Sequence, residues 1–128
     1  MFQGYEPFSA AETKALRDYT LEREWDATIS YHSSGSLIFS EFGVTEPVNT
    51  QSRSLAQALT AVSGYTVASS IGLTGGGYKD WAMESLGIPS VTFEIGCDGT
   101  VLEHRELMAT FSRNSSVLWA VRQWLINQ

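Results

Sequence analysis

The chain has 128 residues and a mass of 14.1 kDa, which is the size of one modest domain. Its 43% apolar and 17% charged residues exclude an intrinsically disordered chain. Acidic residues outnumber basic residues by 14 to 8, and the net charge of −6 predicts that the protein binds neither nucleic acid nor an anionic membrane.

The first part of the chain predicts one helix and two short strands. Ser9 and Glu12 have the spacing of a capping box, and Leu16 and Tyr19 give the following helix an apolar edge. Pro47 marks a loop after the second strand. The predicted elements are, in chain order, a helix from Ser9 to about Glu24, a strand over 27–32, a strand over 37–39 and a loop over 44–51.

The rest of the chain continues to alternate helices and strands. Leu55, Leu59 and Val62 recur at helical spacing, and Gly64 is a natural stop for their helix. The predicted elements are a helix from Ser52 or Ser54 to Ser63, a strand over 65–69, a glycine-rich loop over 72–77, a helix over 80–86, a strand over 90–95 and a helix from about Asn114 to Asn127. The last helix is expected to bury Val117, Val121, Trp124 and Leu125. This alternation predicts an α/β fold in a single domain over residues 1–128.

We identify no targeting segment and no membrane span in the sequence. The first residues have neither the basic start nor the apolar stretch of a signal peptide. Residues 54–78 carry no charge, but eight Ser, Thr or Gln residues and five glycines make this stretch too polar to span a bilayer. The sequence leaves the compartment of the protein open.

Glu94 is the first candidate site residue. It lies in a predicted strand whose other residues are mainly β-branched or aromatic. Taking a carboxylate out of water is costly unless the group is paired or protonated, so such a residue is kept for a hydrogen-bond network or for a functional site. The alternative is a carboxylate at the end of the strand that reaches water.

His32 is the second candidate. It ends a predicted strand and precedes a Ser-Ser-Gly turn, and strand ends that feed loops are where α/β sheets place their sites. Imidazole is also the commonest metal ligand in proteins. The alternative is a polar turn residue. His104 is a further candidate ligand, for which a solvated helix end is the simpler interpretation.

Three other arrangements carry less weight. Gly72 and Gly77 have the spacing of a phosphate-binding loop, but the Lys and the Ser or Thr that should follow are missing. The loop is then either a mobile surface loop or a flap that needs backbone freedom near a substrate. Ser33 and Ser34 are not in a G-x-S-x-G nucleophile elbow, and Cys97 has no basic neighbour that would activate a thiol.

Four segments together resemble the zinc carboxypeptidase family, the carboxypeptidase A-like metallopeptidases. They are Pro7-Phe8-Ser9-Ala10-Ala11-Glu12-Thr13, Ile29-Ser30-Tyr31-His32-Ser33-Ser34-Gly35, Thr74-Gly75-Gly76-Gly77-Tyr78-Lys79-Asp80-Trp81, and Gly87-Ile88 with Thr92-Phe93-Glu94-Ile95. They are similar, in the same order, to the family's P-F-S-E-P-E-T, S-x-H-S-x-G/S, S-G-G-S-x-D-W and G-I…T-F-E-L. The fourteen-residue step from Asp80 to Glu94 is also that of the family. The segments look most like bacterial members, some of which cleave the γ-D-glutamyl–diaminopimelate bond of cell-wall peptides.

The resemblance implies a fold, a cofactor and two site residues. The fold is the C-terminal half of a mixed β-sheet with helices on both faces. His32 matches the family's third zinc ligand. Glu94 matches the catalytic carboxylate, which takes a proton from zinc-bound water and passes it to the leaving amine.

The glycine-rich loop resembles the family's substrate-covering flap. By this resemblance Gly75, Gly76 and Gly77 are expected to contact the substrate. Tyr78 is a candidate substitute for the flap tyrosine, although the family's tyrosine aligns several residues earlier.

Two features of the family are missing from the sequence. Its first two zinc ligands come from an upstream H-x-x-E motif, which neither His32 nor His104 begins, and its Asn-Arg pair for the substrate carboxylate also lies upstream. A catalytic zinc needs three protein ligands, so we expect a partial catalytic domain that lacks its N-terminal half and is inactive alone. The parent protein is expected to hydrolyse peptides, including cell-wall muropeptides. The incomplete sheet and the uncovered helix faces are expected to make the isolated chain self-associate.

A non-catalytic interpretation stays open. In it the chain is a peptidase-derived binding or interaction module that is naturally short. The presence of both His32 and Glu94 argues against this interpretation, because a protein without catalysis has no reason to keep a costly carboxylate inside a strand.

Overall fold

The computed structural model describes residues 6–41, 43, 46–68, 76–96 and 103–128. Within these ranges helices and strands alternate, as expected for the α/β fold predicted from the sequence. The helices are α1 (Ala11–Leu21), α2 (Val48–Ser63), α3 (Tyr78–Leu86), α4 (Leu107–Asn114) and α5 (Val117–Ile126), and a 3-10 turn over His104–Glu106 precedes α4. The strands are β1 (Thr28–Ser33), β2 (Leu37–Phe39), β3 (Thr66–Ala68) and β4 (Ser90–Ile95).

The four strands found in these ranges form one mixed sheet in the order β1-β4-β2-β3. Strand β4 runs parallel to β1 and antiparallel to β2, and β2 runs parallel to β3. The register pairs Thr28 with Ser90 at the start of β1 and β4, and Ser33 with Ile95 at their end. Because these two strands run in the same direction, their carboxyl ends meet at one edge of the sheet.

The hydrophobic core lies between one face of the sheet and the helices α2 and α5. Its buried members are Ile38, Leu55, Ala56, Leu59, Tyr65, Val91, Phe93, Val117 and Trp124. Side chains alternate along β4, so Val91 and Phe93 enter this core while Ser90, Thr92 and Glu94 project from the opposite face. The buried side predicted for the last helix is confirmed, since Val117 and Trp124 are buried and Val121 and Leu125 pack against the core.

Helix α3 packs against β1 and β4. Its buried residues Ala82 and Met83 do not belong to the core beneath α2 and α5, which places α3 on the opposite face of the sheet. Helix α1 contacts α3 through a hydrogen bond between the hydroxyl groups of Thr20 and Tyr78, whose oxygens are 3.2 Å apart. The two helices therefore lie on the side of the sheet from which Glu94 projects.

The boundaries predicted for α1 are wrong. Ser9 is not the cap, because the N-cap residue is Ala10 and no side chain bonds to the first turn. Thr13 Oγ1 instead donates to the Ala10 carbonyl oxygen at 3.0 Å. The helix ends at Leu21 rather than near Glu24.

Three apolar residues predicted to face the interior are about half exposed. Leu16 and Tyr19 of α1 are each about half exposed, because the buried residue of α1 is Thr20. Val62 of α2 is exposed, and Ser63 is buried in its place. Helix α2 therefore turns a slightly different stripe to the core than its apolar residues alone indicate.

Helix α2 begins at Val48, within the segment 44–51 that was expected to be a loop. Pro47 occupies its N-cap position, and the Glu46 carboxylate accepts a hydrogen bond from the Thr50 N–H at 3.1 Å. Proline is compatible with the start of a helix, and a carboxylate can satisfy the free N–H groups there. The residues that resemble a loop in the sequence thus begin a helix.

The last predicted helix is shorter than expected, and a further helix precedes it. Helix α5 begins at Val117 rather than near Asn114, and α4 precedes it although no helix was predicted there. None of the helices in the described part of the chain is long and apolar enough to cross a membrane.

Candidate functional site

His32 and Glu94 stand side by side at the carboxyl ends of two parallel strands. The register pairs His32 of β1 with Glu94 of β4, so the two side chains project from the same face of the sheet. Strand β2 lies on the other side of β4 and pairs Leu37 with Glu94. The two residues that the sequence indicated separately are therefore brought together by strand pairing.

The turn that follows His32 packs against Glu94. A Cβ atom added to Gly35 would lie 3.4 Å from the Glu94 Cβ, so the backbone of the turn passes close to this side chain. Ser36 Oγ donates a hydrogen bond of 2.6 Å to the Gly96 carbonyl oxygen, which ties the turn to the residue after β4. The turn and the end of β4 thus hold each other in place.

The imidazole and the carboxylate are neighbours without a hydrogen bond. His32 Nδ1 and Glu94 Oε1 are 3.9 Å apart, which is beyond hydrogen-bond distance. The His32 side chain is 59% exposed and the Glu94 side chain 22% exposed, so the carboxylate is partly withdrawn from water without being sealed from it. The arrangement offers a metal ligand next to a proton acceptor, both open to a substrate.

The described residues do not form a complete zinc site. Catalytic zinc takes three protein ligands, and over the described ranges no group of three or more His, Cys, Asp or Glu side chains could hold a metal ion. His104 lies exposed in the 3-10 turn before α4, and Cys97 lies outside the described residues. The imidazole of His32 suits zinc chemically, but a complete site requires further ligands.

Gly76 and Gly77 lead into α3, whereas Gly75 lies outside the described residues. The N–H of Gly77 donates to Asp80 Oδ2 at 3.3 Å, and the N–H of Gly76 lies 3.5 Å from the same oxygen. Asp80 thereby caps the first turn of α3 and neutralises its positive end. The substrate contact expected of these glycines stays a prediction.

Tyr78 is the first residue of α3. Its hydroxyl meets Thr20 of α1, and its ring centroid lies 5.8 Å from that of Trp81. The Trp81 ring is also packed edge-on against Phe8 at 5.1 Å. The Thr20 contact joins α1 to α3, and the Phe8 contact joins the segment before α1 to α3. The flap role expected of Tyr78 stays a prediction, and it requires the hydroxyl to leave Thr20.

A buried ion network beside the glycine loop was not foreseen. Lys79 and Asp80 are both buried and paired at 2.5 Å, and Lys79 Nζ also donates to the Glu41 carbonyl oxygen at 2.8 Å. The Glu41 carboxylate accepts a hydrogen bond of 2.7 Å from Arg53 Nε of α2. The sequence feature that could have indicated this network is the adjacent Lys79 and Asp80, which directly follow 25 uncharged residues.

Three comparisons with known proteins bear on the family and the fold of this chain. The sequence profile of the family described as "Zinc carboxypeptidase" matches residues 1–116. A curated relative, "Gamma-D-glutamyl-L-diamino acid endopeptidase 1" of Lysinibacillus sphaericus, is 30% identical over 95 residues, which are 74% of this chain and 23% of the relative. The crystal structure of thrombin activatable fibrinolysis inhibitor (TAFI) superposes on this chain with a TM-score of 0.80. The alignment covers 98% of this chain and 36% of the TAFI chain. At 22% sequence identity, this similarity shows a shared fold. The chain thus spans well under half the length of either protein.

Proposed function

Because the chain belongs to the zinc carboxypeptidase family, we propose that residues 1–128 form a partial metallopeptidase domain that supplies one zinc ligand, His32, and the general base, Glu94. The observation that carries this proposal is the register pairing of His32 with Glu94 at the carboxyl ends of β1 and β4. An imidazole and a carboxylate are thereby placed on one face with 3.9 Å between Nδ1 and Oε1.

In this proposal Glu94 moves the protons of the reaction. Its carboxylate takes a proton from the attacking water and then delivers it to the leaving amine. The partial exposure of Glu94 admits water, and among the described residues no hydrogen bond occupies its oxygens. A bound zinc ion would supply Lewis acidity, and His32 would hold it together with ligands from outside this chain.

We further propose that the substrate is a peptide of the bacterial cell wall. The name of the relative from Lysinibacillus sphaericus gives its action as cleavage of a γ-D-glutamyl-L-diamino acid bond. Extended to this chain, the name favours a muropeptide as the substrate class. Gly75, Gly76 and Gly77 would then line the substrate, with Tyr78 beside it once its hydroxyl has left Thr20.

The test requires the missing ligands. Joining this chain to an upstream family segment that carries H-x-x-E should give zinc-dependent hydrolysis of a γ-D-glutamyl–diamino acid peptide, whereas the chain alone should give none. Glu94→Gln should lower kcat by about 10²–10⁴-fold. Glu84→Gln, at an exposed carboxylate of α3, should leave kcat unchanged. A folded, zinc-loaded fusion without hydrolysis would contradict the proposal.

A non-catalytic binding module is the second candidate function. The described part of the chain lacks a group of three metal-binding side chains, which both this function and the partial-domain proposal accommodate. This function predicts that the 128-residue chain alone binds a muropeptide without metal, and that His32→Ala leaves the affinity unchanged. Binding that depends on zinc and on His32 would exclude it.

A further inference from the structure

Helices α4 and α5 carry an apolar face that nothing covers within the described residues. Ser115 and Ser116, which connect them, keep right-handed helical backbone angles (φ −61°, ψ −28° and φ −94°, ψ −2°). Side chains therefore keep helical spacing across the junction. The exposed large apolar residues of this run are Leu107, Met108, Phe111, Leu118, Trp119 and Ile126, which are 57% to 77% exposed. We call these six residues the outer stripe.

The outer stripe is a continuous surface. At about 100° per residue its six members fall within an arc of roughly 120°. The opposite side of the run holds Val117 and Trp124, which are buried in the core against α2, and α4 buries no side chain at all. A helical run that is apolar on two opposite sides is expected to be covered on both. We propose that a second copy of this chain covers the outer stripe and forms a two-fold symmetric dimer.

The size of the outer stripe suits a dimer interface. With about 200 Å² for a large side chain, the exposed fractions amount to roughly 800 Å² per copy, which is about what each partner contributes to an interface of standard size. A groove of about 530 Å³ lies between α2 and α5 at the margin of the outer stripe, where Trp119 lines it together with Ala58, Val62 and Trp124. A side chain of the second copy can enter that groove.

The distribution of charge favours a second copy over an anionic membrane. Residues 107–128 contain two arginines and no Asp or Glu. Arg113 faces inward, where it donates to the carbonyl oxygens of Ser63 and Gly64. The outer side thus offers one cation, Arg122, which is too little to hold a chain of net charge −6 on an anionic bilayer.

A two-fold axis level with Ser116 and Val117 would place the outer stripes of two copies against each other. Two antiparallel copies then face Leu107 with Ile126, an apolar pair. They also face Phe111 with Arg122, so the cation of the surface meets an aromatic ring. Such an isologous interface closes with two copies and leaves no further stripe exposed.

Analytical ultracentrifugation of the 128-residue chain tests the dimer. We expect a monomer–dimer equilibrium with a Kd of about 1–100 μM. Because both copies are acidic, raising the salt concentration from about 50 mM to about 500 mM should lower the Kd.

Leu118→Glu and Phe111→Glu each place a carboxylate in the outer stripe, and each should raise the Kd roughly tenfold or more. Leu21→Glu adds the same charge at an exposed residue of α1 and should leave the Kd unchanged. All three positions are exposed, so melting temperatures measured well below the Kd, where each protein is monomeric, should be equal and separate lost association from lost folding.

Four results would overturn the proposal. The first two are a monomer at every concentration and a Kd that Leu21→Glu raises as much as the stripe variants do. The third is a dimer whose Kd neither stripe variant raises, as expected for pairing through the β1 edges. The fourth is a monomer that binds phosphatidylserine vesicles.

Discussion

The fold shields the carboxylates of Glu94 and Glu41 from water, and the two groups differ in their hydrogen bonds. Glu41 is buried and accepts hydrogen bonds from Arg53, whereas Glu94 accepts none among the described residues. Withdrawal from water destabilises both groups, and only the bonds of Glu41 offset that cost. A partly desolvated carboxylate without a bond is typical of a residue kept for reactivity at the expense of stability.

Replacing each carboxylate by an amide should therefore change the stability of the protein in opposite directions. Glu94→Gln should raise the free energy of unfolding by about 0.5–1 kcal/mol, because it removes a charge that the fold does not compensate. Glu41→Gln should lower it by about 1–3 kcal/mol, because Arg53 loses its ionic partner. Urea denaturation at neutral pH measures both. A loss of stability in Glu94→Gln as large as that in Glu41→Gln would indicate that Glu94 has a structural role.

Tyr31 precedes His32 in β1 and projects from the other face, where its ring centroid is 5.2 Å from that of Phe93. Partial burial raises the pKa of the Tyr31 hydroxyl above its ordinary value of 10.0, and nearby Tyr65 adds to the shift. The unfolded chain therefore ionises first as the pH rises. The resulting contribution to stability is complete below pH 10.0 and is lost as the pH passes through the raised pKa.

Tyr31→Phe keeps the ring and removes the hydroxyl, so it should flatten the decline of stability above about pH 10. Urea unfolding measured from about pH 8 to about pH 11 tests this expectation. Tyr19→Phe, at an exposed tyrosine of α1, is the matched control and should leave the decline as it is. An equally steep decline in Tyr31→Phe would show that another group causes it.

Between elements, the bond from Tyr78 to Thr20 is the polar link that joins α3 to α1. Tyr78→Phe and Thr20→Val should each destabilise the protein, and the double variant should show a coupling energy of about 0.5–1.5 kcal/mol, the value of one hydrogen bond. Denaturant unfolding of the four proteins measures the coupling. If no coupling is found, the hydroxyl is free in solution, as the flap role from the family resemblance requires.

The sequence predicts best those helices and strands whose residue types favour one kind of secondary structure. Strand β4 is found at the predicted residues 90–95, since β-branched and aromatic residues favour a strand. The start of α2 was missed because Pro47 signals both loops and helix starts. Helix α4 was missed although Leu107, Met108 and Phe111 recur at helical spacing, and the structure turns these apolar residues outward.

The candidate site could be predicted only in part. His32 and Glu94 were each indicated by their place in a strand, and the family to which the resemblance assigned them is confirmed by the match over residues 1–116. Their juxtaposition depends on the parallel pairing of β1 with β4, which no local pattern contains. The same holds for the bond from Lys79 to Glu41, which joins residues 38 positions apart.

For the molecule as a whole, the candidate site and the outer stripe lie on different sides. Glu94 projects from the face of the sheet on which α3 packs, whereas α5 covers the other face and turns its outer stripe away from the sheet. A dimer formed through the stripe therefore leaves His32 and Glu94 open. Substitutions in one region should not affect the other, so the two proposals can be tested independently.

We propose that His32 is a zinc ligand and that the zinc site on this chain is incomplete. Calorimetric titration of zinc into the 128-residue chain tests it most directly, with His32→Ala and His104→Ala as paired variants. We expect zinc to bind far more weakly than the roughly 10–16 kcal/mol of complete structural sites. His32→Ala should abolish this binding, and His104→Ala should leave it unchanged. Tight one-to-one binding, or weak binding that is lost with His104 rather than His32, would contradict it.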